Sequence, residues 1–395
     1  MVVRMLRVLT LSTLYPSAAR PGFGLFVEGQ TSRLAARPDV DLRVIAPVGL
    51  PPFPLSVRKS HAPLKALPVD ETWNGVRTLR PRFTALPMVG WRFNPERVER
   101  AVLRAMGQLR AEGFIPDVID AEFFFPDGVA AARLGKRLGI PVSIKARGSD
   151  IHYWGGKSKA RKQILAAAAS AGGLLAVSEA LKRDMVALGM RADRIKVHYT
   201  GVDLARFHIQ DRRAAKAKLG VSGPLVVSIG NLVRLKGHEI VAGAVGKVKG
   251  VTLIIAGAGE DEAWIRRQVA SVEEPHRIRF VGAVPHDEVP TLLAAADVMA
   301  LASEREGLAN AWVEALACGT PVVAPDIGSI REVIDRPDAG RIVSERTAGA
   351  FAGAISRLLA GEPEPLAARA AAERFSWERN TEALFAHLTK VAARR

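Results

Sequence analysis

At residues 303–324 the chain reads SEREGLANAWVEALACGTPVVA, and this stretch is the strongest indication of its fold. It predicts a polar loop, an apolar helix over residues 308–317, a turn at Gly319 and a short strand over residues 321–324. A strand before the loop would complete a β-α-β unit. Such units form parallel sheets flanked by helices.

A phosphate-binding helix start is predicted inside this stretch. Gly307 frees the backbone just ahead of the helix. The first amide groups of a helix have no partner inside it, and together with the helix dipole they favour an anion. The amides in question belong to Leu308, Ala309 and Asn310.

Two glutamates flank the predicted helix start. Glu306 and Glu314 are eight residues apart, which is roughly 12 Å along a helix axis. A nucleotide sugar covers a similar distance from its ribose to its hexose. One carboxylate could hold sugar hydroxyls and the other the ribose diol, with the diphosphate over the helix start. The alternative is a pair of solvated glutamates on a surface helix, and the surrounding sequence favours the first interpretation.

The same alternation of strands and helices extends along the chain. Most predicted strands are unbroken apolar runs, as expected for strands that are buried on both faces of a parallel sheet. The Pro-rich residues 47–68 are predicted to form a long loop. The fold class is therefore α/β, with the β-α-β pattern present twice. The predicted strands lie at residues 7–12, 42–46, 118–121, 142–145, 174–177, 195–199, 225–229, 251–256, 278–281, 298–302 and 321–324.

Two domains are expected because 395 residues exceed what one hydrophobic core usually supports. The boundary is predicted where Gly201, a basic patch and the pair Gly223-Pro224 precede a new strand. We expect residues 1–203 to form one domain and residues 204–376 the other. A C-terminal helix over about residues 377–395 is expected to pack back on the first domain.

The composition and the single cysteine narrow the class of protein. With 48% hydrophobic and 24% charged residues, the chain is typical of a soluble α/β protein rather than a fibrous or disordered one. Cys318 has no partner for an intramolecular disulfide, which fits a reducing compartment. At the end of an apolar helix it is expected to be a buried filler, and a catalytic thiol is the alternative.

The N-terminal residues allow two interpretations. Arg4 and Arg7 precede an apolar run over residues 8–15, which resembles a short signal peptide. Because the run is brief and is interrupted by Ser12 and Thr13, a first β-strand is the preferred interpretation. No stretch approaches the roughly 20 apolar residues that span a bilayer.

The charge is unevenly distributed along the chain. The net charge is +16, of which residues 1–200 carry +15 (31 Lys and Arg against 16 Asp and Glu) and residues 201–395 carry +1. This asymmetry indicates an anionic partner for the first half. A nucleic acid and the acidic face of a membrane are the candidates, and cations that merely keep the half soluble are the alternative.

Six signatures, in order, resemble those of the family 4 retaining glycosyltransferases. The family hallmark Glu-x7-Glu, followed by Gly-x-Pro-Val-Val, corresponds to Glu306, Glu314 and residues 319–323. Residues 200–203 (TGVD) resemble the family's Asn-Gly-Val-Asp hinge, with threonine in place of asparagine, and residues 230–237 (GNLVRLKG) resemble its Gly-Arg-Leu-x-x-x-Lys-Gly loop. The other signatures are residues 256–259 (AGAG), 280–282 (FVG) and 296–298 (ADV).

The resemblance implies a GT-B fold, in which two Rossmann-like domains face each other across a cleft. In that fold the N-terminal domain binds the acceptor and the C-terminal domain binds the nucleotide sugar. The family's roles assign Glu306 to the transferred sugar, Glu314 to the ribose and Lys236 to the donor diphosphate. A lysine there would neutralise charge on the leaving phosphate.

Further donor-binding residues follow from the same resemblance. The base is expected near the backbone of Val284. Asn231 replaces an arginine of the family, and Arg234 is the candidate that would supply the missing cation. Gly22 and Gly24 resemble the glycine loop by which the N-terminal domain approaches the diphosphate.

Residues 147–150 (RGSD) resemble a His-Gly-x-Asp segment of the family, with arginine in place of the histidine. Arg147 and Asp150 are therefore candidates for contact with donor or acceptor. His152 is the alternative for the role of the missing histidine. The catalytic candidates are Glu306, Lys236, Asp150 and Arg147.

The resemblance implies hexosyl transfer with retained anomeric configuration. The leaving phosphate then helps to deprotonate the incoming hydroxyl, and the protein positions the reactants and stabilises pyrophosphate charge. The eight histidines are scattered, and Asp-x-Asp spacing occurs only at residues 39–41. Neither a metal nor a cofactor is expected.

Two basic and aromatic clusters in the first half suggest an interfacial surface, although a solvated helix face is the alternative for each. Their location in the +15 half favours a membrane. We therefore expect a cytoplasmic protein at the inner face of the plasma membrane, with a lipid-linked glycan as acceptor. The first cluster consists of Trp91, Arg92, Arg97, Arg100 and Arg104, and the second of Lys157, Lys159, Arg161 and Lys162.

Two other functions remain open. A nucleotide-sugar epimerase or a phosphorylase on the same fold would turn over a nucleotide sugar without a glycan acceptor, or would need inorganic phosphate. A basic nucleic-acid-binding protein would bind with an affinity that falls steeply with salt. No nucleic-acid motif is present, so nucleic acid is not an expected partner.

Overall fold

The computed structural model describes residues 5–86, 88–361 and 363–394. The chain divides into two compact units. Unit 1 comprises Met1–Gly201 and Glu378–Arg395, and unit 2 comprises Val202–Trp377. The division lies two residues before the position predicted from the sequence.

Strands and helices alternate through both units. In chain order, the strands are β1 (Leu6–Leu11), β2 (Val40–Ile45), β3 (Val48–Leu50), β4 (Asp70–Trp73), β5 (Val76–Leu79), β6 (Arg82–Thr84), β7 (Val118–Ala121), β8 (Val142–Ala146), β9 (Gly173–Ala176), β10 (Ile195–Val197), β11 (Leu225–Ile229), β12 (Thr252–Ala256), β13 (Ile278–Gly282), β14 (Val298–Ala300), β15 (Val322–Pro325) and β16 (Gly340–Val343). The helices are α1 (Leu25–Ala35), α2 (Ala62–Ala66), α3 (Asn94–Ala111), α4 (Val129–Leu138), α5 (Ser158–Ser170), α6 (Glu179–Leu188), α7 (Arg212–Lys218), α8 (His238–Gly246), α9 (Glu262–Ala270), α10 (Val289–Ala295), α11 (Asn310–Ala317), α12 (Ile330–Val333), α13 (Ala348–Gly361), α14 (Pro365–Ala372) and α15 (Trp377–Ala392).

Within the described residues, unit 1 is built on an eight-stranded sheet of order β10-β9-β8-β7-β1-β2-β5-β4, which is parallel except for the β4–β5 pair. From β1 the chain adds β2 on one side, and from β7 it adds strands on the other side. The direction of winding therefore switches between β1 and β7. β3 and β6 form a separate parallel pair.

Helix α15 returns to unit 1 and completes its core. Leu384, Leu388 and Val391 pack with Val8 and Val44 of the central strands. Nε2 of His387 lies 3.1 Å from the Ser143 hydroxyl of β8, and both groups are buried. The C-terminal helix therefore belongs structurally to the first half of the chain.

The described part of unit 2 contains a six-stranded parallel sheet of order β13-β12-β11-β14-β15-β16. The chain winds outward from β11 to β13 and then from β14 to β16, so the switch lies between β11 and β14. Val226, Leu253 and Phe351 are among the fully buried residues of its core. Apolar strands such as β12 fit this burial on two faces.

All eleven predicted strands are present, with ends displaced by at most two residues. The prediction of a long loop over residues 47–68 was wrong, because β3 and α2 lie inside it. Pro63 occupies the first turn of α2, where its missing amide hydrogen is tolerated, so the proline that suggested a loop is part of a helix start. β16 begins at Gly340 and contains Arg341, and it lacks the apolar run used to recognise the other strands.

Two smaller findings concern Cys318 and membrane spans. Cys318 is buried, and burial raises the pKa of its thiol to about 12, so it is a filler rather than a reactive thiolate. Among the described residues, no helix has both the length and the apolar character needed to cross a bilayer.

Candidate active site

Lys236 and Glu306 meet at the carboxyl end of the unit 2 sheet. Lys236 lies in the loop after β11, and Glu306 lies in the loop after β14. Open α/β sheets bind ligands outside their strand ends at the point where winding reverses, which here is between these two strands. Lys236 Nζ lies 2.5 Å from Glu306 Oε1, and the side chains are 24% and 11% exposed. The two residues assigned to the donor therefore form a partly exposed ion pair.

Two glycines fix the loops that carry this pair. Gly237 has φ +66°, and a Cβ there would lie 2.3 Å from the carbonyl oxygen of Ala302. Gly328 has φ +51°, and a Cβ there would lie 2.1 Å from the carbonyl oxygen of Glu306. Larger residues would both strain the backbone and push the loops apart. The close approach of backbone to backbone holds Lys236 and Glu306 in place.

The helix after Glu306 begins later than predicted. α11 starts at Asn310, and Ala309 is its extended N-cap residue, with no side-chain cap. Glu306, Gly307 and Leu308 lie in the loop, so the predicted 12 Å rise along a helix does not describe the separation of Glu306 from Glu314. The unpaired amides of the first turn start at Asn310. The sequence misled here because no Ser, Thr or Asp cap marks the true start.

Glu314 lies on α11 and is only partly exposed. Burial raises the pKa of its carboxyl to about 7, and the nearby positive charge of Arg206 acts in the opposite direction. Burial and the same Arg206 lower the pKa of His286, whose ring packs edge-on against Phe207 at 5.8 Å. Arg206 and His286 therefore belong to the Glu314 region. The sequence analysis missed both residues; Arg206 lies three residues beyond the TGVD segment, which was its only signal.

The other predicted donor residues surround the Lys236 loop. The backbone carbonyl of Asn231 lies 3.3 Å from Nε2 of His238. Arg234 is directed toward Asp261, at 3.4 Å, and lies over the ring of Trp264 at 4.5 Å. Val284 is half-buried in the loop after β13. A cation that the sequence analysis missed, Arg346, donates hydrogen bonds to the carbonyl groups of Ala302 and Arg234, at 2.6 and 3.3 Å.

Asp150, a candidate for contact with donor or acceptor, is turned into the fold, and its contact with a substrate stays a prediction. Its side chain is fully buried, and its carboxylate accepts hydrogen bonds from the backbone amides of Phe124, Arg147 and Gly148, at 3.0, 3.0 and 2.8 Å. Burial raises the pKa of Asp150, and these amides oppose that shift. Asp150 therefore fixes the turn after β8. An aspartate in a Gly-x-Asp turn can serve the backbone as readily as a ligand, and the sequence could not distinguish the two roles.

Arg147 belongs to a buried network of charges at the strand ends of unit 1. It pairs with Glu122, which also lies 3.1 Å from Lys145, and Glu122 and Lys145 are both fully buried. The guanidinium lies 4.7 Å from the centre of the Phe26 ring and is 7% exposed. Burial alone would raise the pKa of Glu122, but Lys145 and Arg147 outweigh it and hold the carboxyl ionised. Arg147 is therefore held in one position.

The remaining unit 1 candidates lie apart from this network. Gly24 precedes α1 with φ +79°, and Gly22 lies in the turn before it, with open space around its Cα. His152 Nε2 lies 2.9 Å from the carboxylate of Asp184. His152 therefore pairs with a residue of α6 and not with Arg147.

The two predicted membrane clusters come together in unit 1. Lys157 Nζ lies over the rings of Trp91, Tyr153 and Trp154, at 5.3, 4.4 and 5.2 Å, so the lysine of the second cluster packs on the tryptophan of the first. Arg92 lies over the ring of Phe93, and Arg97 donates a hydrogen bond to the carbonyl of Thr84. Arg100 pairs with Glu96, and Arg161 donates a hydrogen bond to the carbonyl of Leu188. The remaining cations of the two clusters are exposed: Arg104, Lys159 and Lys162.

No group of three or more His, Cys, Asp or Glu side chains is placed to hold a metal ion in the part of the chain that the structure describes. That the reaction needs no metal stays a prediction.

Solved structures share this fold over almost the whole chain. HepE from Anabaena, solved in complex with UDP-glucose, aligns with a TM-score of 0.75 at 19% identity and covers 97% of this chain and 99% of its own. Sucrose-phosphate synthase from Thermosynechococcus elongatus aligns with a TM-score of 0.78 at 20% identity and covers 99% and 100%. The architecture is the GT-B fold, as predicted.

Relatives by sequence are glycosyltransferases. TuaC of Bacillus subtilis (strain 168), named for teichuronic acid biosynthesis, is 29% identical over 364 residues, which is 89% of each chain. D-inositol 3-phosphate glycosyltransferase of Mycobacterium tuberculosis (strain F11) is 38% identical over 218 residues, which is 52% of this chain and 45% of the relative.

Both halves of the chain also match family descriptions. Residues 30–206 match the family described as Glycosyltransferase Family 4, and residues 210–375 match that described as Glycosyl transferases group 1. The sequence matches, the motifs and the fold agree with one another, and the chain belongs to the family 4 (group 1) glycosyltransferases.

Proposed function

We propose that this protein is a retaining hexosyltransferase that moves a sugar from a nucleoside diphosphate donor to a lipid-linked glycan in polysaccharide assembly. The observation that carries the proposal is the ion pair of Lys236 and Glu306 at the strand ends of unit 2, with Glu314 on the helix that follows. HepE, which shares the fold, has been solved with UDP-glucose.

The donor would exchange partners with the ion pair. Lys236 would turn from Glu306 to the diphosphate, where it stabilises the charge that develops as the sugar departs. Glu306 would then accept hydrogen bonds from hydroxyls of the sugar, and Glu314 from the ribose diol. The amides at the start of α11 would face the phosphates. No protein base is required if the leaving phosphate takes the proton of the acceptor hydroxyl.

The test compares Glu306→Gln with Glu304→Gln in the full chain. Glu304 is an exposed carboxylate two residues away and serves as the matched control. Glu306→Gln should lower sugar transfer by orders of magnitude while the melting temperature stays near that of the wild type, and Glu304→Gln should transfer normally. Equal activity in the two variants would remove the sugar-binding role of Glu306.

A panel of nucleotide sugars in a thermal-shift assay would identify the donor. A donor that binds only the folded state raises its stability by mass action. Transfer measured in the presence of a chelator would test the expectation that no metal is needed. Turnover of the donor without a glycan acceptor would instead support the epimerase.

We further propose that helices α3, α4 and α5 dock on the anionic inner face of the plasma membrane. α4 packs against α3 on one side and against α5 on the other. The three helices contain ten Lys and Arg and two Glu, and α4 contributes Arg133, Lys136 and Arg137, which extend the two clusters predicted from the sequence. Met88 and Tyr153, exposed by 86% and 57%, supply apolar contact beside these helices.

Vesicle binding tests this surface. The double variant Lys159→Glu/Lys162→Glu should bind phosphatidylglycerol vesicles at least about 30-fold more weakly, since each cation near an anionic surface contributes about 1 kcal/mol and the variant also adds two negative charges. Lys247→Glu/Lys249→Glu, which changes the charge equally on exposed residues of unit 2, is the control. Cosedimentation that is unchanged in the first variant, or equally reduced in both, would contradict the proposal.

A further inference from the structure

Unit 1 contains a pocket of about 270 Å³ beside the carboxyl ends of β1 and β2. The turn after β1 forms one wall, the β3–β6 pair forms another, and the end of α2 closes a third side. We call it the β1 pocket and define it by Tyr15, Ser17, Arg20, Phe23, Arg80 and Phe83. Its volume lies just below the range of about 300–1,000 Å³ that holds drug-sized ligands, which suits a single sugar ring.

One arginine of the pocket is built into the fold. The Arg80 side chain is 1% exposed, pairs with Glu71 and donates a hydrogen bond from Nη2 to the carbonyl of Pro16 at 2.8 Å. Its guanidinium also lies over the rings of Tyr15 and Trp73. Arg80 therefore holds the turn after β1 against β4 and β5, and its own charge is largely neutralised by Glu71.

The other arginine of the pocket has no carboxylate partner in the described residues. Reciprocal backbone hydrogen bonds between Arg20 and Ser17, at 2.9 and 3.3 Å, fix the turn on which Arg20 stands. The Arg20 guanidinium lies 5.8 Å from the centre of the Phe23 ring, and the residue is exposed. The turn fixes its backbone, and its guanidinium pairs with no carboxylate in the described residues.

The segments that line the pocket contain no acidic residue. The first carboxylate of the sequence is Glu28, and none occurs between Asp41 and Asp70. Two carboxylates act on the lining residues from behind these segments: Glu71 pairs with Arg80, and burial and the charge of Glu28 raise the pKa of Tyr15. Arg20 is the pocket cation with no carboxylate partner in the described residues, so it is the group that would attract an anion.

The remaining walls suit a sugar. Tyr15, Phe23 and Phe83 present aromatic rings, against which the C–H groups of a sugar ring pack, and the hydroxyl of Ser17 is buried at the pocket. The Tyr15 hydroxyl is buried beside Thr78, so Tyr15 offers the pocket its ring rather than its hydroxyl. Aromatic walls with a few polar groups and one cation fit an acidic monosaccharide unit better than a neutral or purely apolar ligand.

We propose that the β1 pocket binds the terminal sugar of the acceptor and selects one that bears a carboxylate or phosphate group, which Arg20 recognises. This proposal rests on the proposed function, because it names the acceptor class of the same enzyme. Arg20 would act as a specificity residue. It would form a charge-assisted hydrogen bond that a neutral sugar cannot make.

The experiment measures binding of four probes to the full chain by saturation-transfer NMR and calorimetry: glucuronic acid, glucose 6-phosphate, glucose and UDP. The wild type should bind at least one acidic sugar more tightly than glucose. Arg20→Gln should weaken that binding by roughly 10- to 100-fold, the effect expected for a hydrogen bond to a charged group. Arg20→Lys should restore part of it, and Arg183→Gln, which removes an exposed arginine of α6, should behave as the wild type.

The probes separate the possible failures. An acidic sugar that binds no better than glucose, or binds Arg20→Gln as well as the wild type, overturns the proposal. UDP binding that falls in Arg20→Gln also overturns it, because the anion recognised would then be the donor diphosphate. If neither UDP nor any nucleotide sugar binds the wild type, the proposed function fails, whatever the acidic sugars do.

Discussion

Unit 1 and unit 2 both reverse their winding beside a central strand, and they place charges there in opposite ways. At the switch between β11 and β14 the Lys236–Glu306 pair is partly exposed. At the ends of β7 and β8, next to the other switch, Glu122 and Lys145 are 0% exposed, and Arg147 completes their network. A pair that reaches solvent can exchange its partner for a ligand. A pair sealed in the core has no such access, so the two switch points differ in whether their charges can meet a ligand.

Glu122→Gln should have the largest effect and should act on stability. Glu122 is the ionised partner of Lys145 and Arg147, whereas burial and the charge of Glu122 raise the pKa of the neighbouring Asp120. Removing one partner of a buried ion pair costs about 3–5 kcal/mol of unfolding free energy. Urea unfolding followed by tryptophan fluorescence measures it. Glu112→Gln, which breaks an exposed pair with Arg77, should cost far less, because solvent screens an exposed pair. Equal losses in the two variants would break the contrast between buried and exposed charge.

Lys236→Met should have the opposite pattern of effects: little change in the free energy of unfolding and a large loss of sugar transfer. Loss of one group that stabilises developing charge lowers kcat by about 10²–10³-fold. Steady-state transfer assays and the urea midpoint together measure both effects. Lys249→Met, at an exposed loop of unit 2, is the control. If Lys236→Met unfolds easily but still transfers sugar, the Lys236–Glu306 pair has a structural role, as the pairs of Glu122 do.

The smallest effect expected is a pH dependence of donor binding through Glu314. With a pKa of about 7, the carboxyl becomes ionised across pH 6 to 8, and an ionised carboxylate is the better acceptor for ribose hydroxyls. Donor affinity should therefore rise several-fold over this range in the wild type. In Glu314→Gln it should be weaker and independent of pH. Calorimetry at pH 6, 7 and 8 measures it.

The same carboxyl should also make the free energy of unfolding depend on pH, in the direction opposite to that of donor affinity. Its folded pKa lies above its ordinary value of 4.5, so the folded state keeps the proton when the unfolded chain has lost it. Unfolding free energy contributed by Glu314 should fall as the pH rises from about 4.5 to about 7, and Glu314→Gln should flatten that slope. A slope unchanged by the substitution would mean that Glu314 is solvated like a surface glutamate.

The parallel architecture could be predicted because strands that are buried on both faces appear in the sequence as apolar runs, such as those of β11 and β12. The prediction failed at α2 and β16, where local polarity and proline hide an element that tertiary packing stabilises. The family resemblance assigned Lys236 and Glu306 to one donor site, and the structure brings the two side chains together. The burial of Asp150 could not be predicted, because whether a carboxylate faces a ligand or three backbone amides depends on how the chain turns after β8. Arg346 comes from a segment with no recognisable pattern, and Arg206 lies just beyond the recognised TGVD segment without being part of it.

The return of α15 to unit 1 has a consequence for biosynthesis. Leu388 and Val391 fill the core beside β1 and β2, strands that leave the ribosome more than 300 residues earlier. While unit 2 is being translated, the nascent N-terminal half must wait with an apolar groove uncovered, which is the kind of surface that chaperones hold. Premature termination anywhere before residue 384 would leave that half incomplete, even though every strand of its sheet had already been made.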